Sequence, residues 1–432
     1  MDRVPVVGRA AGHRGAGGRV SAVAAVEVNA ERLLADLAAL AAVGDTGDGG
    51  NCRLALTDED AGGRELVVGW MRDLGLDVRV DRIGNVVATR AGSGGPGLDP
   101  VMTGSHIDTV RTGGRYDGTL GVLAGLEVVR ALDDAGVRTR RPLAVAFFTD
   151  EEGSRFAPDM LGSLVYVGGM PLEDALDLVA IDGAVLGPEL ERIGWAGSAP
   201  VPGPAPHAYV ELHIEQGPVL GEEGVAIGAV TGVQGISWQE LTLVGQANHA
   251  GTTPMRLRHD AGYVAAEVAG FVRRLAVSLG GHQVGTVGRL GLHPDLVNVV
   301  AARAVLTVDL RNTEAAVLAS AEERVRSFAA TCASGEGVTA SWRTLARFEP
   351  VAFDPGVVDR VEAAAVARGL SVRRLPSGAG HDAQMLARVC PTGMVFVPSR
   401  GGVSHNPAEY TAPPDLAAGA QVLADVLVDL AA

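Results

Sequence analysis

Hydrophobic residues follow two patterns that alternate along the chain. Leu33, Leu37 and Leu40 fall on one face of an amphipathic helix that Asn29 can cap. Further helices are predicted around residues 61–74 and 120–135, and the apolar segments PVMTGSHIDTV and PLAVAFFTD are typical of strands. Helices alternating with apolar strands predict an α/β fold, with a mixed sheet covered by helices on both faces.

The pattern changes between residues 222 and 348. Here the order is strand (WQELTLVG), helix (261–279), two strands (QVGTVGRL and ARAVLTVDLR), helix (314–331) and strand (VTASWRTLA). This βαββαβ order predicts an inserted α+β domain. We therefore predict a tail that is disordered (1–28), an α/β domain in two pieces (29–221 and 349–432) and the insertion (222–348).

Composition excludes several function classes. The net charge of −15 argues against nucleic acid or an anionic membrane surface as a partner, and no apolar run is long enough for a signal peptide or a membrane helix. All 36 basic residues are arginine, which excludes a P-loop lysine, a lysine Schiff base and a serine–lysine dyad. Three widely spaced cysteines, Cys52, Cys332 and Cys390, favour a reducing cytoplasm over a disulfide framework.

One glycine motif is not a nucleotide site. Gly92, Gly94 and Gly97 match the dinucleotide fingerprint GxGxxG, but the following segment GLDPVMTGS does not predict a helix. The fingerprint needs a helix N-terminus to hold the pyrophosphate. We interpret this segment as a loop.

Metal-binding residue types recur where predicted strands end. Taken singly, each has an ordinary structural explanation: a lone histidine is usually hydrogen-bonded, and Asp-Gly usually marks a turn. Together, imidazole and carboxylate groups at the ends of one sheet form the ligand set of zinc and similar ions. The motifs are GSHIDTV (His106, Asp108), GGRYDG (Asp117), TDEEGSRF (Glu151, Glu152), HIEQGP (His213) and FVPSRGGVSH (His405).

These motifs, together with GQANHAGTTPM, LVNVV, DLRN and GAGHDAQ, resemble in order and wording the N-carbamoyl-L-amino acid hydrolases, β-ureidopropionases and allantoate amidohydrolases. Those enzymes are a branch of the dinuclear zinc aminoacylase and carboxypeptidase-like metallohydrolases. The resemblance runs from about residue 29 to the end of the chain. It implies a cytoplasmic homodimer that binds two divalent metal ions per subunit, Zn²⁺ or alternatively Mn²⁺ or Co²⁺, and in which the insertion acts as a lid and dimerisation domain.

The resemblance also implies a role for each residue. His106 and His213 would bind one metal, Glu152 and His405 the other, and Asp117 would bridge both. Asp108 would orient His106, and Glu151 would be the general acid/base. In the inserted domain, His249 would stabilise the oxyanion in the active site of the partner subunit. Arg311 would bind the substrate carboxylate, and Asn298 and Gln216 would contact the substrate through their amides.

Several alternatives stay open from the sequence. The leading function is hydrolysis of the carbamoyl C–N bond of N-carbamoyl-L-amino acids, with allantoate amidohydrolase as the close alternative and β-ureidopropionase behind it. A dipeptidase or aminoacylase is disfavoured by His213 and Gln216, a non-catalytic binding protein by the intact Glu151, and a serine hydrolase by the absence of GxSxG. The role of His381 in GAGHDAQ is open between a wall of the site and a structural hydrogen bond.

Overall fold

A computed structural model describes residues 26–432 of the protein. The predicted tail therefore lies outside the described residues, apart from its last three positions. The α-helices are α1 (Ala30–Ala41), α2 (Asp58–Asp73), α3 (Thr119–Asp134), α4 (Leu161–Tyr166), α5 (Leu172–Leu176), α6 (Leu186–Arg192), α7 (Val219–Glu223), α8 (Ala261–Leu279), α9 (Ala315–Glu336), α10 (Pro355–Ala367), α11 (Asp382–Leu386) and α12 (Pro413–Leu430). The strands are β1 (Asp77–Val80), β2 (Val86–Arg90), β3 (Val101–His106), β4 (Leu143–Phe148), β5 (Ala208–Ile214), β6 (Ile227–Val233), β7 (Gly235–Val244), β8 (Val284–Thr286), β9 (Leu290–His293), β10 (Arg303–Asn312), β11 (Thr339–Phe348), β12 (Val351–Ala352), β13 (Val372–Ser377) and β14 (Thr392–Val397).

The larger sheet is mixed and has nine strands in the order β1-β2-β4-β3-β5-β14-β6-β12, with β13 paired to β6. Every residue of β3, β4, β5 and β14 is buried, which requires cover on both faces of the sheet. Helices α3, α10 and α12 pack against these strands, as do the shorter helices α4 and α11. The predicted mixed α/β fold is confirmed.

Four parallel strands lie side by side at the centre of this sheet. They are adjacent in the order β4-β3-β5-β14, and each neighbouring pair runs parallel. Their carboxyl ends therefore meet at one edge, which is where open α/β sheets bind ligands. The motifs that the sequence analysis placed at strand ends all come to this edge.

The smaller sheet has five strands. Its order is β11-β7-β10-β8, with β9 paired to another stretch of β10. Helices α8 and α9 pack against the sheet and supply a separate apolar core. The segment QVGTVGRL, predicted as a single strand, is divided between β8 and β9.

Two boundaries differ from the sequence analysis. Strand β6 lies within the range predicted for the insertion, yet it pairs with β13 and β14 in the larger sheet. Its run IGAVTGV is almost wholly buried, which suits a central strand but does not identify the sheet to which it belongs. The second boundary is that of the predicted tail. Its residues Val26 and Val28 form hydrogen bonds with Gln421 and so belong to the folded domain.

Helix α1 begins as predicted, because the Asn29 side chain accepts a hydrogen bond from the Arg32 backbone N–H at 3.0 Å. Within residues 26–432, no helix combines the length and apolarity needed to cross a bilayer.

Candidate active site

Three histidines converge on one carboxylate at the edge of the larger sheet. Asp117, in the loop before α3, lies with its Oδ1 3.2 Å from Nε2 of His213 and 3.8 Å from Nε2 of His106. On the other side, Nε2 of His405 lies 3.4 Å from Asp117 Oδ2 and 3.2 Å from Glu152 Oε2. Asp117 therefore stands between two groups, one with His106 and His213 and the other with Glu152 and His405.

Both buried histidines are oriented by backbone carbonyls. Nδ1 of His106 lies 2.9 Å from the carbonyl oxygen of Asp108, and Nδ1 of His213 lies 2.8 Å from that of Ile214. Because a carbonyl can only accept, Nδ1 carries the proton in each ring, and Nε2 is left to face Asp117. Backbone orientation of a ring nitrogen in this way is common among metal-binding histidines.

The donor set fits divalent cations. In each of the two groups, one atom from every member lies within 4.8 Å of the others. Oε1 of Glu152 is buried without a hydrogen-bond partner, a costly arrangement that a cation would relieve. Imidazole nitrogens and carboxylate oxygens could hold two ions that share Asp117.

Electrostatics at the site favour protons on the histidines when no cation is present. Contacts with Asp117 and Glu152 raise the pKa of His405 to about 11. Burial lowers the pKa of His213, but the Asp117 carboxylate outweighs it, and the pKa rises to about 9. Protons and cations therefore compete for the same nitrogens.

Glu151 belongs to neither group. It is buried, and its Oε2 lies 3.4 Å from Nε2 of His106. Burial raises the pKa of Glu151 well above its usual value, with further increases from Asp382 and Glu152. A buried carboxyl with a raised pKa can accept and return a proton near neutral pH.

Asp108 contacts the site differently from the expectation. Its carboxylate lies 3.9 Å from Nδ1 of His106, and its backbone carbonyl is the closer partner. The carboxylate instead accepts hydrogen bonds at 3.3 Å from the backbone N–H groups of Glu151 and Glu152. Asp108 thereby connects the loop after β3 to the loop after β4.

The last glycine of GGRYDG, Gly118, is required because its backbone lies close to the His106 ring. Gly118 has a φ of 65°, and a Cβ placed there would lie 2.4 Å from ring atoms of His106. Any other residue would collide with that imidazole, so Gly118 allows Asp117 to lie beside it.

The two groups of possible metal ligands and Glu151 line a cavity of about 220 Å³, together with Gln216 and Arg311. The Gln216 amide nitrogen donates to Asp117 Oδ2 at 2.9 Å, while its oxygen is buried without a partner. The Arg311 guanidinium contacts Asp309 through Nε and one terminal nitrogen, and the carbonyl of Gly378 through the other. Because a guanidinium carries five N–H groups, each terminal nitrogen still has one to offer.

His381 combines the two roles left open by the sequence. It lines the cavity, and its Nε2 lies 2.8 Å from the Ser377 hydroxyl. Burial and the neighbouring His213 hold the pKa of His381 well below its usual value. His381 is therefore a neutral wall of the cavity, packed edge-on against the His213 ring at 4.5 Å between centroids.

Two predicted site residues lie away from this cavity. His249 and Asn298 are both exposed and are absent from its lining. They are close to each other, because the Ala250 N–H donates to the Asn298 carbonyl at 2.9 Å. The structure brings the other predicted residues together within one subunit.

Several residues at the site were not predicted from the sequence. Glu409 accepts hydrogen bonds from the backbone N–H groups of Tyr116 and Asp117 and from the Ser404 hydroxyl. Glu211 accepts a hydrogen bond from the Ser105 hydroxyl at 2.6 Å. Asp159, Ile236 and Trp238 also line the cavity. In the sequence, Glu211 and Glu409 are single carboxylates next to a histidine motif, and this alone does not distinguish them from other acidic residues.

Comparison with known proteins agrees with this geometry. The model of peptidase family M20/M25/M40 matches residues 102–429. The chain is 43% identical to the N-carbamoyl-L-amino-acid amidohydrolase of Rhizobium meliloti, over 94% of this chain and 97% of that protein. It is 34% identical to the allantoate amidohydrolase of Bacillus subtilis, over 91% of this chain and 95% of that protein.

Among solved structures, an amidase of the hydantoinase/carbamoylase family from Burkholderia multivorans superimposes with a TM-score of 0.92. It is 45% identical, and the match covers 94% of this chain and 98% of that one. The shared fold, the matched residues 102–429 and the level of identity lead to one assignment: the chain belongs to peptidase family M20/M25/M40, in its hydantoinase/carbamoylase branch.

Proposed function

We propose that the protein is a metal-dependent hydrolase that cleaves the carbamoyl C–N bond of N-carbamoyl-L-amino acids to give the amino acid, ammonia and carbon dioxide. One observation carries the proposal: Arg311 shares a cavity of about 220 Å³ with the carboxylate–histidine cluster and Glu151. A substrate with a carboxylate and a nearby ureido group could bind Arg311 through the carboxylate and place the ureido group at the cluster. Relatives named for this activity support the choice of substrate.

We propose that the cluster binds two divalent cations, Zn²⁺ or alternatively Mn²⁺ or Co²⁺. His106 and His213 would hold one ion, Glu152 and His405 the other, and Asp117 both. When bound, such cations would lower the pKa of water and polarise the carbamoyl oxygen. The convergent Nε2 atoms and the unpartnered Glu152 oxygen support this assignment.

Protons would be moved by Glu151. Its carboxylate would accept a proton from the attacking water and return it to the leaving nitrogen, a cycle that leaves Glu151 in its starting state. The free oxygen of Gln216 is an acceptor for the ureido N–H groups. The two remaining N–H groups of Arg311 suit a carboxylate, which a guanidinium binds in a bidentate manner.

We propose a homodimer in which His249 and Asn298 serve the partner's cavity. Nδ1 of His249 accepts hydrogen bonds from the backbone N–H groups of Gly251 and Thr252 at 3.1 and 3.3 Å. The neutral ring therefore carries its proton on Nε2, which suits an oxyanion donor. Nearby, the side chains of Leu296 and Val297 are exposed, as an apolar interface would require.

We also propose that the enzyme works in the reducing cytoplasm, because Cys52, Cys332 and Cys390 are all unpaired.

Allantoate amidohydrolase is the second candidate, because allantoate also pairs a ureido group with a carboxylate and a relative bears that name. Ammonia release should be measured across N-carbamoyl-L-amino acids, one D-enantiomer, allantoate, β-ureidopropionate, an N-acetyl amino acid and a dipeptide. We expect the highest kcat/KM for an L-carbamoyl amino acid. A higher value for allantoate would favour the second candidate, and a higher value for the dipeptide would overturn both.

A further inference from the structure

Asp159 contributes a charged side chain to the cavity that the proposed reaction does not use. It lines the cavity together with Ile236, Trp238, Ala379 and Gly380. Within residues 26–432, no other side chain forms a hydrogen bond or an ion pair with its half-buried carboxylate, which accepts only from its own backbone N–H. A carboxylate in such a position is available to a ligand.

The backbone, rather than the side chain, fixes the position of Asp159. After Glu152 the chain folds back on itself, so that the Met160 N–H donates to the Glu151 carbonyl at 2.6 Å. Gly153 has a φ of 59°, and a Cβ there would lie 2.6 Å from the Asp159 nitrogen. Asp159 is thereby held close to the proposed acid/base, while no other side chain contacts its carboxylate through a hydrogen bond.

The arrangement of substrate groups identifies what Asp159 would meet. This step rests on the proposed function, in which the ureido group lies at the metal-binding cluster and the α-carboxylate at Arg311. The remaining substituent on the α-carbon is the amino-acid side chain, and it would face Asp159 and its four neighbours in the cavity wall. Asp159 is the charged member of that wall, and Trp238 and Ile236 offer apolar surface to a methylene stem.

We propose that Asp159 determines substrate specificity: it selects side chains that end in N–H donors and disfavours those that end in a second carboxylate. An ammonium group would form an ion pair with it, and a ureido group could offer two N–H donors to its two oxygens. A second carboxylate would face repulsion from Asp159 within a partly desolvated cavity.

The electrostatic surroundings agree with this location. Burial raises the pKa of Asp159, Arg311 lowers it, and Glu152 raises it again. Asp159 is therefore within electrostatic range of both the proposed carboxylate clamp and the metal-binding cluster. A competing explanation is that Asp159 pairs with Arg311 and only positions the clamp, in which case its loss would affect every substrate equally.

The test compares N-carbamoyl derivatives of L-ornithine, L-citrulline, L-norvaline and L-glutamate, whose side chains all begin with a chain of three carbons, and adds allantoate. In the wild type we expect kcat/KM for the ornithine and citrulline derivatives to exceed that for norvaline by about tenfold or more, with glutamate lowest. This comparison needs no variant. Ornithine tests a cation, citrulline a neutral ureido group, and allantoate a ureido group without a methylene stem.

In the variant Asp159→Asn, the ratio of kcat/KM for the ornithine derivative to that for the norvaline derivative should fall by about 10- to 100-fold. The kcat/KM for the glutamate derivative should rise, and that for the norvaline derivative should change by no more than about threefold. Asp174→Asn removes an exposed carboxylate of the same region outside the cavity and should leave all ratios unchanged. Equal losses for every substrate, or unchanged ratios with normal turnover, would overturn the role of Asp159 alone. A wild type that hydrolyses none of the panel would overturn the proposed function and this inference with it.

Discussion

Nε2 of His213 lies 3.2 Å from Oδ1 of Asp117, although the two residues belong to different strand–loop units of the larger sheet. His213 comes from β5 and Asp117 from the loop between β3 and α3. Their contact depends on the parallel pairing of β3 with β5, which brings both units to the same edge. It also sets the chemistry of the centre, because an imidazole beside a carboxylate competes for protons and cations alike.

The first prediction concerns pH and cation binding. In the metal-free protein the pKa values of His213 and His405 are about 9 and 11, so both rings hold a proton at pH 7. A bound cation must displace those protons. Apparent affinity for Zn²⁺ should therefore rise between pH 6 and 9, with about two protons released per protein at neutral pH. Calorimetry in buffers of different ionisation enthalpy measures that release, and its absence would remove these histidines as ligands.

The same shifts predict how stability changes with pH. Both folded-state pKa values lie above the unfolded value of about 6.5, so the stabilisation is complete below that pH. It is lost as pH rises through about 9, where His213 loses its proton. Urea denaturation of the chelated protein should give a lower free energy of unfolding at pH 9.5 than at pH 7. A rise over that interval would contradict the assigned pairing with Asp117.

Glu151→Gln separates the base from the ligands. The amide cannot accept a proton, so kcat should fall by about 10²- to 10⁴-fold, while the bound metal, measured by elemental analysis, should stay at the wild-type level. Glu152→Gln is the matched control and should lose metal as well as activity. Near-normal turnover in Glu151→Gln would exclude this residue as the base, and loss of metal would make it a ligand.

Arg311→Ala should lower kcat/KM for substrates that carry the free carboxylate much more than for substrates that lack it. Loss of one partner of a buried charge pair costs about 2–5 kcal/mol, so kcat/KM should fall by roughly 30-fold or more. Substrates whose carboxylate is converted to an amide should be poor for the wild type and lose little further in the variant. Equal losses for acid and amide would place Arg311 outside the clamp.

Much of this site could be predicted from the sequence because it rests on strand ends. His106 and His213 lie in β3 and β5, and Glu151 and Glu152 follow β4 closely, so these four residues are marked by apolar runs. His405 lies further along the loop that follows β14. Parallel pairing then brings the strand ends together without further information.

The parts that could not be predicted depend on irregular backbone. Asp159 reaches the cavity because the chain after Glu152 folds back through the Met160–Glu151 hydrogen bond, and no periodicity encodes such a turn. Glu409 contacts Tyr116 across 293 residues of sequence. The carbonyl rather than the carboxylate of Asp108 orients His106, a choice made by loop geometry alone.

Glu409 should matter for stability. It is 5% exposed and accepts hydrogen bonds from the backbone N–H groups of Tyr116 and Asp117. Glu409→Ala would leave these donors buried and unpaired, at a cost of about 2–4 kcal/mol in the free energy of unfolding. Glu409→Gln retains an acceptor oxygen and should lose less than about 1 kcal/mol. Urea denaturation of the metal-loaded proteins measures both values, and equal values for the two variants would argue against the hydrogen bonds as the cause.

The last prediction connects the proposed dimer to catalysis through His249. If His249 acts in the partner's cavity, then His249→Ala should lower kcat by about 10²- to 10³-fold and leave the metal content unchanged. His282→Ala, which removes another exposed histidine of the same sheet domain, should have little effect. The decisive experiment co-expresses His249→Ala subunits with Glu151→Gln subunits.

Each mixed dimer would then contain one cavity with an intact Glu151 and an intact His249 from its neighbour, and a second cavity with neither. Random pairing makes half of the dimers mixed, so activity should return to about a quarter of the wild-type level. If His249 served its own subunit, every cavity would lack one of the two residues and the mixture would stay inactive. Separate affinity tags on the two subunits allow the mixed dimers to be purified. Purified mixed dimers without activity would therefore overturn the action of His249 in the partner's cavity.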